Sequence, residues 1–411
     1  MIQDIRNSSN AKQIIFTVNG PGEVYGWLRP LAYALRLKYP DIRIVVMILP
    51  CVYSTGAEAS VARGLGTVDI ALPVRDVLRF ILTGRHPHGL DFKARSLVFH
   101  LGGEVALTIL LAARLRAPLY AYAEQALRFG SAFRKIFFNG LNRLPKLKKI
   151  EPSALVGELM VDAAALTRSA FARTSNDQQT IGLFPGSRSF MVELMLTYYA
   201  VTVDDLTKRI PNLRWVMALA PFVDDAVLRS LTPREGRNWP ATPLSFHENG
   251  TERWLQTPSG NRIEILHGRE VLAIADVALT IPGTNTGELA AGGTPMVVVL
   301  PTYVSNEVPL PGLAGHIGRI PLIGKAIKSY LAFRLLRSLP MLAQPNRRAG
   351  RFIVTELVGT GLHQAIAVEL ERLLTNDTSA LRDDIRNAMG RSGAAQRLAD
   401  EINAHFSTSE G

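Results

Sequence analysis

Three stretches of this chain carry the residue types best able to do chemistry, and each follows an apolar run that ends in small residues. The most informative is Ile281-Pro-Gly-Thr-Asn-Thr-Gly-Glu288, which continues through Gly292-Gly293 to Met296–Leu300. Val277–Ile281 reads as a strand. Thr284, Asn285 and Thr286 are N-cap types, and Glu288 suits the start of a helix dipole. Gly292-Gly293 stops that helix before a buried parallel strand. Free N–H groups after Gly283 would suit a phosphate or diphosphate, although an ordinary tight turn reads the same way. Phe184-Pro-Gly-Ser-Arg188 repeats the logic: Gly186 and Ser187 lead to Arg188, whose guanidinium can hold a phosphate with two prongs. His100-Leu-Gly-Gly-Glu104 is the third. Gly102 and Gly103 leave room for a substrate, and Glu104 is placed to take a proton from a hydroxyl. A glutamate that merely favours a helix start reads identically.

Two further segments invite a ligand. Asn19-Gly-Pro-Gly-Glu-Val-Tyr-Gly26 lets one approach the backbone closely, but it is not G-x-G-x-x-G. The next strand ends Leu49-Pro50-Cys51 without an acidic residue, and no P-loop lysine follows the glycines. NAD and ordinary nucleotide triphosphatase chemistry are therefore disfavoured. Pro345-Asn346 with Arg351 and Glu356 supplies an amide, a guanidinium and a carboxylate for phosphate, sugar or ribose, or simply a solvated surface. No metal and no cofactor is expected. His86-Pro-His88 lacks a third ligand, and the pairs Asp204-Asp205, Asp224-Asp225 and Asp383-Asp384 read as solvated helix surface. Ser187 has no nucleophile-elbow setting.

These residues need a scaffold, and the hydrophobic pattern supplies one. Strands at Gln13–Val18, Ile42–Leu49, Val68–Leu72, Leu97–His100 and Leu119–Tyr122 alternate with helices at Tyr25–Leu37, Glu58–Leu65, Val77–Leu82 and Val105–Leu115. The pattern restarts at Thr180–Phe184 with a helix over Met191–Leu206. It continues with Arg214–Ala218, Asp224–Ser230, Ile263–Leu266 and Arg269–Ala275. Repeated βαβ units predict an α/β protein with parallel sheets. Leu166–Gln179 reads as a linker, Pro233–Thr257 as a loop and Leu362–Phe406 as a closing helical region.

The 411 residues suit two domains, and 47% hydrophobic with 20% charged composition suits a folded chain. A net charge of +11 favours anionic partners. The single cysteine, Cys51, excludes an intrachain disulfide and reads as packing in a reducing compartment. Met1–Asn10 is polar, so no secretory signal is evident, and no apolar run approaches the ~20 residues that span a bilayer. Between Glu307 and Glu356 there is no acidic residue. Arg319, Lys325, Lys328, Arg334 and Arg337 flank an apolar helical stripe of Leu322, Ile323, Ala326, Ile327, Tyr330, Leu331 and Leu335. Such a basic amphipathic segment, 319–337, can lie on an anionic membrane or pack on the protein's own core. A second acid-free basic stretch over Ala126–Ile150, with Phe129, Phe133, Phe137 and Phe138, reads equally as a lipid contact or a strand at Lys135–Phe138.

Taken in order, these pieces resemble lipid-A-disaccharide synthase, an inverting glycosyltransferase of GT-B fold. Leu183-Phe-Pro-Gly-Ser-Arg188 matches that family's L-L-P-G-S-R, and Pro282–Glu288 with Thr294–Val298 resembles S-G-T-A-T-L-E with P-M-V-V. Pro345-Asn-Arg-Arg-Ala-Gly-Arg351 with Glu356 matches P-N-x-x-A-G-R…E, and Val156–Asp162 is similar to V-G-H-P-x-x-D. Gly22-Glu23-Val-Tyr-Gly26 loosely resembles G-E-A-S-G-D, and Glu104 falls on the aspartate proposed as that family's base. Trp27 and Tyr25 stand where the family has Asp and Ser, and Glu158-Leu159 replaces His-Pro.

The resemblance implies two Rossmann-like domains facing a cleft. The acceptor-binding domain would be 1–170 and the nucleotide-sugar domain 175–362, with helices 363–411 crossing back to brace the first. Glu104 would be the base, and Gly22, Glu23, Gly26, Gly102 and Gly103 would form the acceptor-side loops. Gly186, Ser187, Arg188, Gly283, Thr284, Asn285, Thr286, Glu288, Asn346, Arg351 and Glu356 would bind a UDP-sugar. The expected partners are a UDP-sugar, a lipid or glycolipid acceptor and the inner face of a membrane, reached from the cytoplasm. Rival readings are a UDP-sugar 2-epimerase and a non-catalytic nucleotide-sugar or lipid binder. A nucleic-acid binder would use the charge, but no helix-turn-helix, zinc-finger or RNA-binding signature is present.

Overall fold

The computed structural model describes residues 11–51, 56–140, 154–171, 178–220, 223–233, 240–301 and 341–407. The chain divides into two units, Met1–Leu166 with Gly390–Gly411, and Thr167–Met389.

The first unit is built on a parallel sheet of β1 (Lys12–Val18), β2 (Arg43–Ile48), β3 (Ile70–Leu72), β4 (Arg95–His100), β5 (Leu119–Ala123) and β6 (Lys135–Phe138), in the order β3-β2-β1-β4-β5-β6. Its strands read as continuous apolar runs because both faces are covered. The helix after β1 is broken into α1 (Pro21–Glu23), a π-helical turn Val24–Leu28, and α2 (Arg29–Lys38). Ile14, Phe16, Val18, Ile44, Val46, Leu97 and Phe99 face one core, with Leu31 and Leu35 of α2 and Ala59 and Ala62 of α3 (Glu58–Arg63). Ile15, Val45, Met47 and Val98 face the other. That core includes Val77 and Phe80 of α4 (Val74–Thr83) and Leu111 of α5 (Val105–Leu115).

The second unit, entered through α6 (Leu159–Ala170), repeats the plan. Its parallel strands are β7 (Thr180–Phe184), β8 (Arg214–Leu219), β11 (Arg262–His267), β12 (Val277–Thr280), β13 (Met296–Pro301) and β14 (Thr355–Gly359). With β9 (Ser245–Asn249) and β10 (Glu252–Gln256) added, the sheet order is β14-β13-β12-β7-β8-β11-β10-β9. Its core draws Met195, Tyr198 and Tyr199 from α7 (Ser189–Arg209), Leu228 from α8 (Asp225–Leu228) and Val271 from α9 (Gly268–Ile274). Counting only parallel strands, both sheets have the 3-2-1-4-5-6 order of Rossmann-like folds, which reverses between the first and fourth strand. The reversal lies between β1 and β4 in one unit and between β7 and β12 in the other.

Several expectations are corrected. Pro233–Thr257 is not simply a loop: β9 (Ser245–Asn249) and β10 (Glu252–Gln256) form an antiparallel hairpin added to the sheet edge. Its polar strands hide the alternation, because only Leu255 of β10 is buried. Asp204 is half-buried rather than a free surface carboxylate: its Oδ1 accepts from Thr257 Oγ1 and Asn261 Nδ2, both at 2.6 Å, and so holds the β10–β11 turn. The segment read as a linker begins inside α6. The basic segment 319–337 lies outside the described residues. Of the second basic stretch, Lys135–Phe138 is β6, with Phe137 and Phe138 buried. Among the described residues no helix is long and apolar enough to cross a membrane.

Beyond α10 (Thr284–Ala291) and α11 (Gln344–Ala349), the closing helical region is shared. The helices α12 (His363–Thr375) and α13 (Ser379–Met389) belong to the second unit, and only α14 (Ala394–Ser407) belongs to the first. The Val156–Asp162 motif explains how α14 docks. Asp162 accepts from Gly393 N at 2.6 Å and from Ala395 N at 2.7 Å, capping the start of α14 from another helix. Arg397 Nε donates to Val156 O at 2.8 Å. Glu158 is fully buried and accepts from Asn139 Nδ2 at 3.0 Å and Met160 N at 3.2 Å. Burial pushes the Asp162 carboxyl above its usual value, and the two amides oppose that rise. Replacing Asp162 with Ala leaves both amides uncapped. It should cost about 1–2 kcal/mol of first-unit stability, read as a lower urea midpoint and faster amide exchange in α14.

Candidate functional site

In an open α/β sheet, the loops at a strand-order reversal run to opposite faces and leave a crevice at the carboxyl ends of the strands. The second unit places Phe184–Arg188 after β7 and Ile281–Thr286 after β12, which are adjacent strands paired through Phe184 and Thr280. The two loops touch. A Cβ on Gly186 would lie 2.9 Å from Ile281 Cδ1, and the backbone there has φ +107°, so glycine is required on both counts.

Each loop starts a helix, α7 in one case and α10 in the other. Neither start is capped by a side chain. The N-cap positions are Arg188 and Gly283, not Thr284–Thr286 as expected. The threonine and asparagine side chains are used elsewhere. Thr286 Oγ1 donates to Gly283 O at 2.8 Å, and Asn285 Nδ2 donates to Thr280 Oγ1 at 2.7 Å. Glu288 lies beyond the first turn and is half-buried. Ser187 is exposed and Arg188 half-buried at the start of the 21-residue α7. Two neighbouring helix starts without side-chain caps concentrate positive potential, with an arginine beside them.

The Pro345–Glu356 motif divides into frame and reach. Asn346 is fully buried with all four amide positions used. Its Oδ1 accepts from Ile353 N at 2.7 Å and Val354 N at 2.9 Å, and its Nδ2 donates to Val354 O at 2.9 Å and Glu356 Oε1 at 2.8 Å. Glu356 also accepts from Ala343 N and Leu342 N, each at 2.8 Å. The segment thus held donates from Gln344 N to Thr286 Oγ1 at 3.0 Å, so α10 and α11 start side by side. Three of the roughly four acceptor positions of the Glu356 carboxylate are occupied, which leaves one. Arg351 is exposed and pairs with Asp384 of α13 at 2.5 Å.

In the first unit, Asn19–Leu28 follows β1 and Leu101–Glu104 follows β4. Leu101 N and Gly102 N both donate to Thr17 O at 3.0 Å, tying the loop after β4 to the end of β1. Glu104 is the N-cap of α5, is exposed, and makes no capping bond. Glu23 is set deeper. Burial pushes its carboxyl above the usual value, against hydrogen bonds from its own N–H and that of Gly20. Gly26 is buried against Met160, and Trp27 packs edge-on against Tyr122 with ring centroids 5.7 Å apart. Trp27 therefore replaces a polar residue by packing, and Gly22 is half-buried in α1.

A polar cluster beneath these loops was missed from the sequence. His100 Nδ1 lies 3.2 Å from Thr17 Oγ1 and 2.9 Å from Thr108 Oγ1, and all three residues are buried. The signal was the strand alternation: Thr17 and His100 continue the faces of Ile15 and Val98, in paired register. Burial lowers the His100 pKa to about 4. A folded value below the unfolded one means the unfolded chain binds more protons between pH ~6.5 and ~4. Stability contributed here is present above that window and lost as pH falls through it. The full loss should approach about 3 kcal/mol, and His100→Gln should flatten the acid limb of a stability–pH curve measured by urea denaturation.

No family model matches the chain. It is 29% identical to the lipid-A-disaccharide synthase of Granulibacter bethesdensis over 238 residues, covering 56% of this chain and 49% of that protein. It is 28% identical to that of Anaeromyxobacter dehalogenans over 232 residues, covering 54% and 48%. The chain thus spans about half the length of the curated relatives it matches. Among solved structures it resembles a putative UDP-N-acetylglucosamine 2-epimerase from Listeria monocytogenes, with TM-score 0.52, 14% identity and coverage of 96% and 97%. The UDP-GlcNAc 2-epimerase from Neisseria meningitidis bound to UDP-GlcNAc gives TM-score 0.52 at 12% identity, covering 96% of this chain and all of that one. These likenesses show the fold of two Rossmann-like domains, and the sequence matches show the lineage: the chain is a divergent relative of the lipid-A-disaccharide synthases.

Proposed function

We propose that the protein is a glycosyltransferase that moves a sugar from a UDP-sugar to a hydroxyl of a lipid or lipid-linked sugar, with inversion. The observation that carries this reading is the pair of uncapped helix starts, α7 and α10, meeting through Gly186 and Ile281 in the second unit. Backbone amides and Arg188 there offer fixed positive potential to a diphosphate and to the charge that gathers on it as it leaves. Glu356, held by three hydrogen bonds, has one acceptor position for a ribose hydroxyl. The lineage supports sugar transfer.

In the reaction, Glu104 takes the proton of the acceptor hydroxyl as its oxygen bonds to the anomeric carbon. The bond from that carbon to the phosphate oxygen breaks, and the electron pair leaves on UDP. No metal takes part in this reading. The basic segment 319–337 would hold the enzyme on the inner, anionic face of a membrane, where a lipid acceptor resides.

A second reading has its own support, because the Listeria and Neisseria proteins that share this fold are named as 2-epimerases. An epimerase would convert a UDP-sugar without any acceptor. Incubation with a panel of UDP-sugars, with and without membrane lipid extract, separates the two. Lipid-dependent UDP release is expected; lipid-independent conversion would favour the epimerase. Arg188→Ala should weaken UDP binding by about 10-fold in calorimetry. Glu104→Gln should leave UDP binding unchanged and slow transfer roughly 100-fold or more. No UDP uptake by the native protein would overturn both readings.

A further inference from the structure

The first unit holds a polar group that neither capping nor packing uses. Asn19 directly follows β1, and its Oδ1 is buried without a hydrogen-bond partner. An oxygen withdrawn from water with no donor costs free energy, and such a group calls for an explanation. Its surroundings supply one. A Cβ on Gly102 would lie 3.1 Å from Asn19 Oδ1 and 2.9 Å from Glu23 Cγ, so both side chains converge on the loop that carries Glu104. Glu23 Oε2 lies across Gly20, 2.8 Å from where a Cβ would stand.

The plain account of Glu23 is a capping role: from the third helical position it reaches back to the Gly20 N–H. That role fills part of its acceptor capacity and leaves Asn19 unexplained. Glu23 also immediately precedes the π-helical turn Val24–Leu28, an irregularity frequent at functional sites.

We infer that Asn19 Oδ1 and the Glu23 carboxyl together bind adjacent hydroxyl groups of the acceptor, so that the first unit selects a neutral sugar or polyol here over a phosphate. The inference rests on the transferase reading. One hydroxyl of a sugar or polyol donates to the amide oxygen, and an adjacent hydroxyl donates to the carboxyl. A phosphate dianion brings only acceptors and finds no donor in Asn19 Oδ1 or the Glu23 carboxylate.

The test titrates the whole chain with n-octyl β-D-glucoside and, separately, n-octyl phosphate, reading saturation-transfer NMR, with UDP calorimetry on the same samples. The native protein should take up the glucoside at least about 10-fold more tightly than the phosphate. Asn19→Leu should weaken glucoside binding by roughly 3- to 10-fold with UDP binding unchanged. Glu23→Gln keeps the size and serves if Asn19→Leu folds poorly. Native glucoside binding should show a pH step from a carboxyl, and Glu23→Gln should abolish that step, which a purely structural glutamate would not produce. Equal uptake of the two amphiphiles, no glucoside uptake, or unchanged glucoside binding in both variants would overturn the inference. UDP uptake persisting in those cases leaves the transferase reading standing; loss of UDP uptake in the native protein removes that reading instead.

Discussion

The structure depends on one constraint: a parallel sheet whose strand order reverses must send its first and fourth strands' loops in opposite directions. Between those loops the carboxyl ends of two strands stand open, and helices that cover the two faces begin there. A helix start exposes backbone N–H groups that no helical carbonyl can take. The reversal therefore creates a place for a ligand before any particular side chain is chosen. This chain makes the reversal twice, at β1 and β4 and again at β7 and β12. Every short segment that reads as chemistry, apart from Pro345–Glu356, belongs to one of those four loops.

The fold was legible because parallel strands covered on both faces are continuous apolar runs. Ile14–Val18 and Met296–Leu300 declare themselves without help from their neighbours. The β9–β10 hairpin did not, because an edge addition whose residues, Leu255 apart, are exposed or half-buried has no such run. The division of the closing helices was also hidden. The spacing in α12, α13 and α14 shows an apolar face on each, but a face does not name the core it meets. Asp162 assigns α14 to the first unit, and it lies 231 residues before the Gly393 amide it accepts from. A pairing at that separation leaves no local trace.

The candidate site was legible as positions and less so as roles. Asn346 and Glu356 look like ligand-binding polar residues in a short span, yet Asn346 commits its whole hydrogen-bonding capacity to Ile353, Val354 and Glu356. Its work is to aim a carboxylate and to fix the segment that reaches Thr286. The same distinction holds at Asp162 and Glu158, where a polar motif serves docking. Hydrogen-bond saturation separates an aimed group from an aiming one, and saturation is a property of the folded neighbourhood that residue type cannot reveal. Trp27 shows the converse: a departure from a polar motif position is accommodated by packing against Tyr122.

Two units with one strand order have acquired opposite electrostatic characters, and the difference lies in the loops after the first and fourth strands. In the second unit those loops are Pro-Gly-Ser-Arg and Pro-Gly-Thr-Asn-Thr. Small residues leave two helix starts uncapped, the only formal charge within the two loops is Arg188, and an anion is the natural guest. In the first unit they are Asn-Gly-Pro-Gly-Glu and Leu-Gly-Gly-Glu. There Glu23 fills a helix start with its own carboxyl and Glu104 stands beside another. Both formal charges in these loops are negative, which disfavours an anionic guest there. The buried His100–Thr17–Thr108 cluster keeps that character: desolvation holds the imidazole neutral above about pH 4, so no cation forms beneath the loops in the neutral range. The transfer proposed above, of a diphosphate-activated sugar to a hydroxyl, would call on both characters, and a repeated fold with divergent loops is one way to provide them without a second architecture.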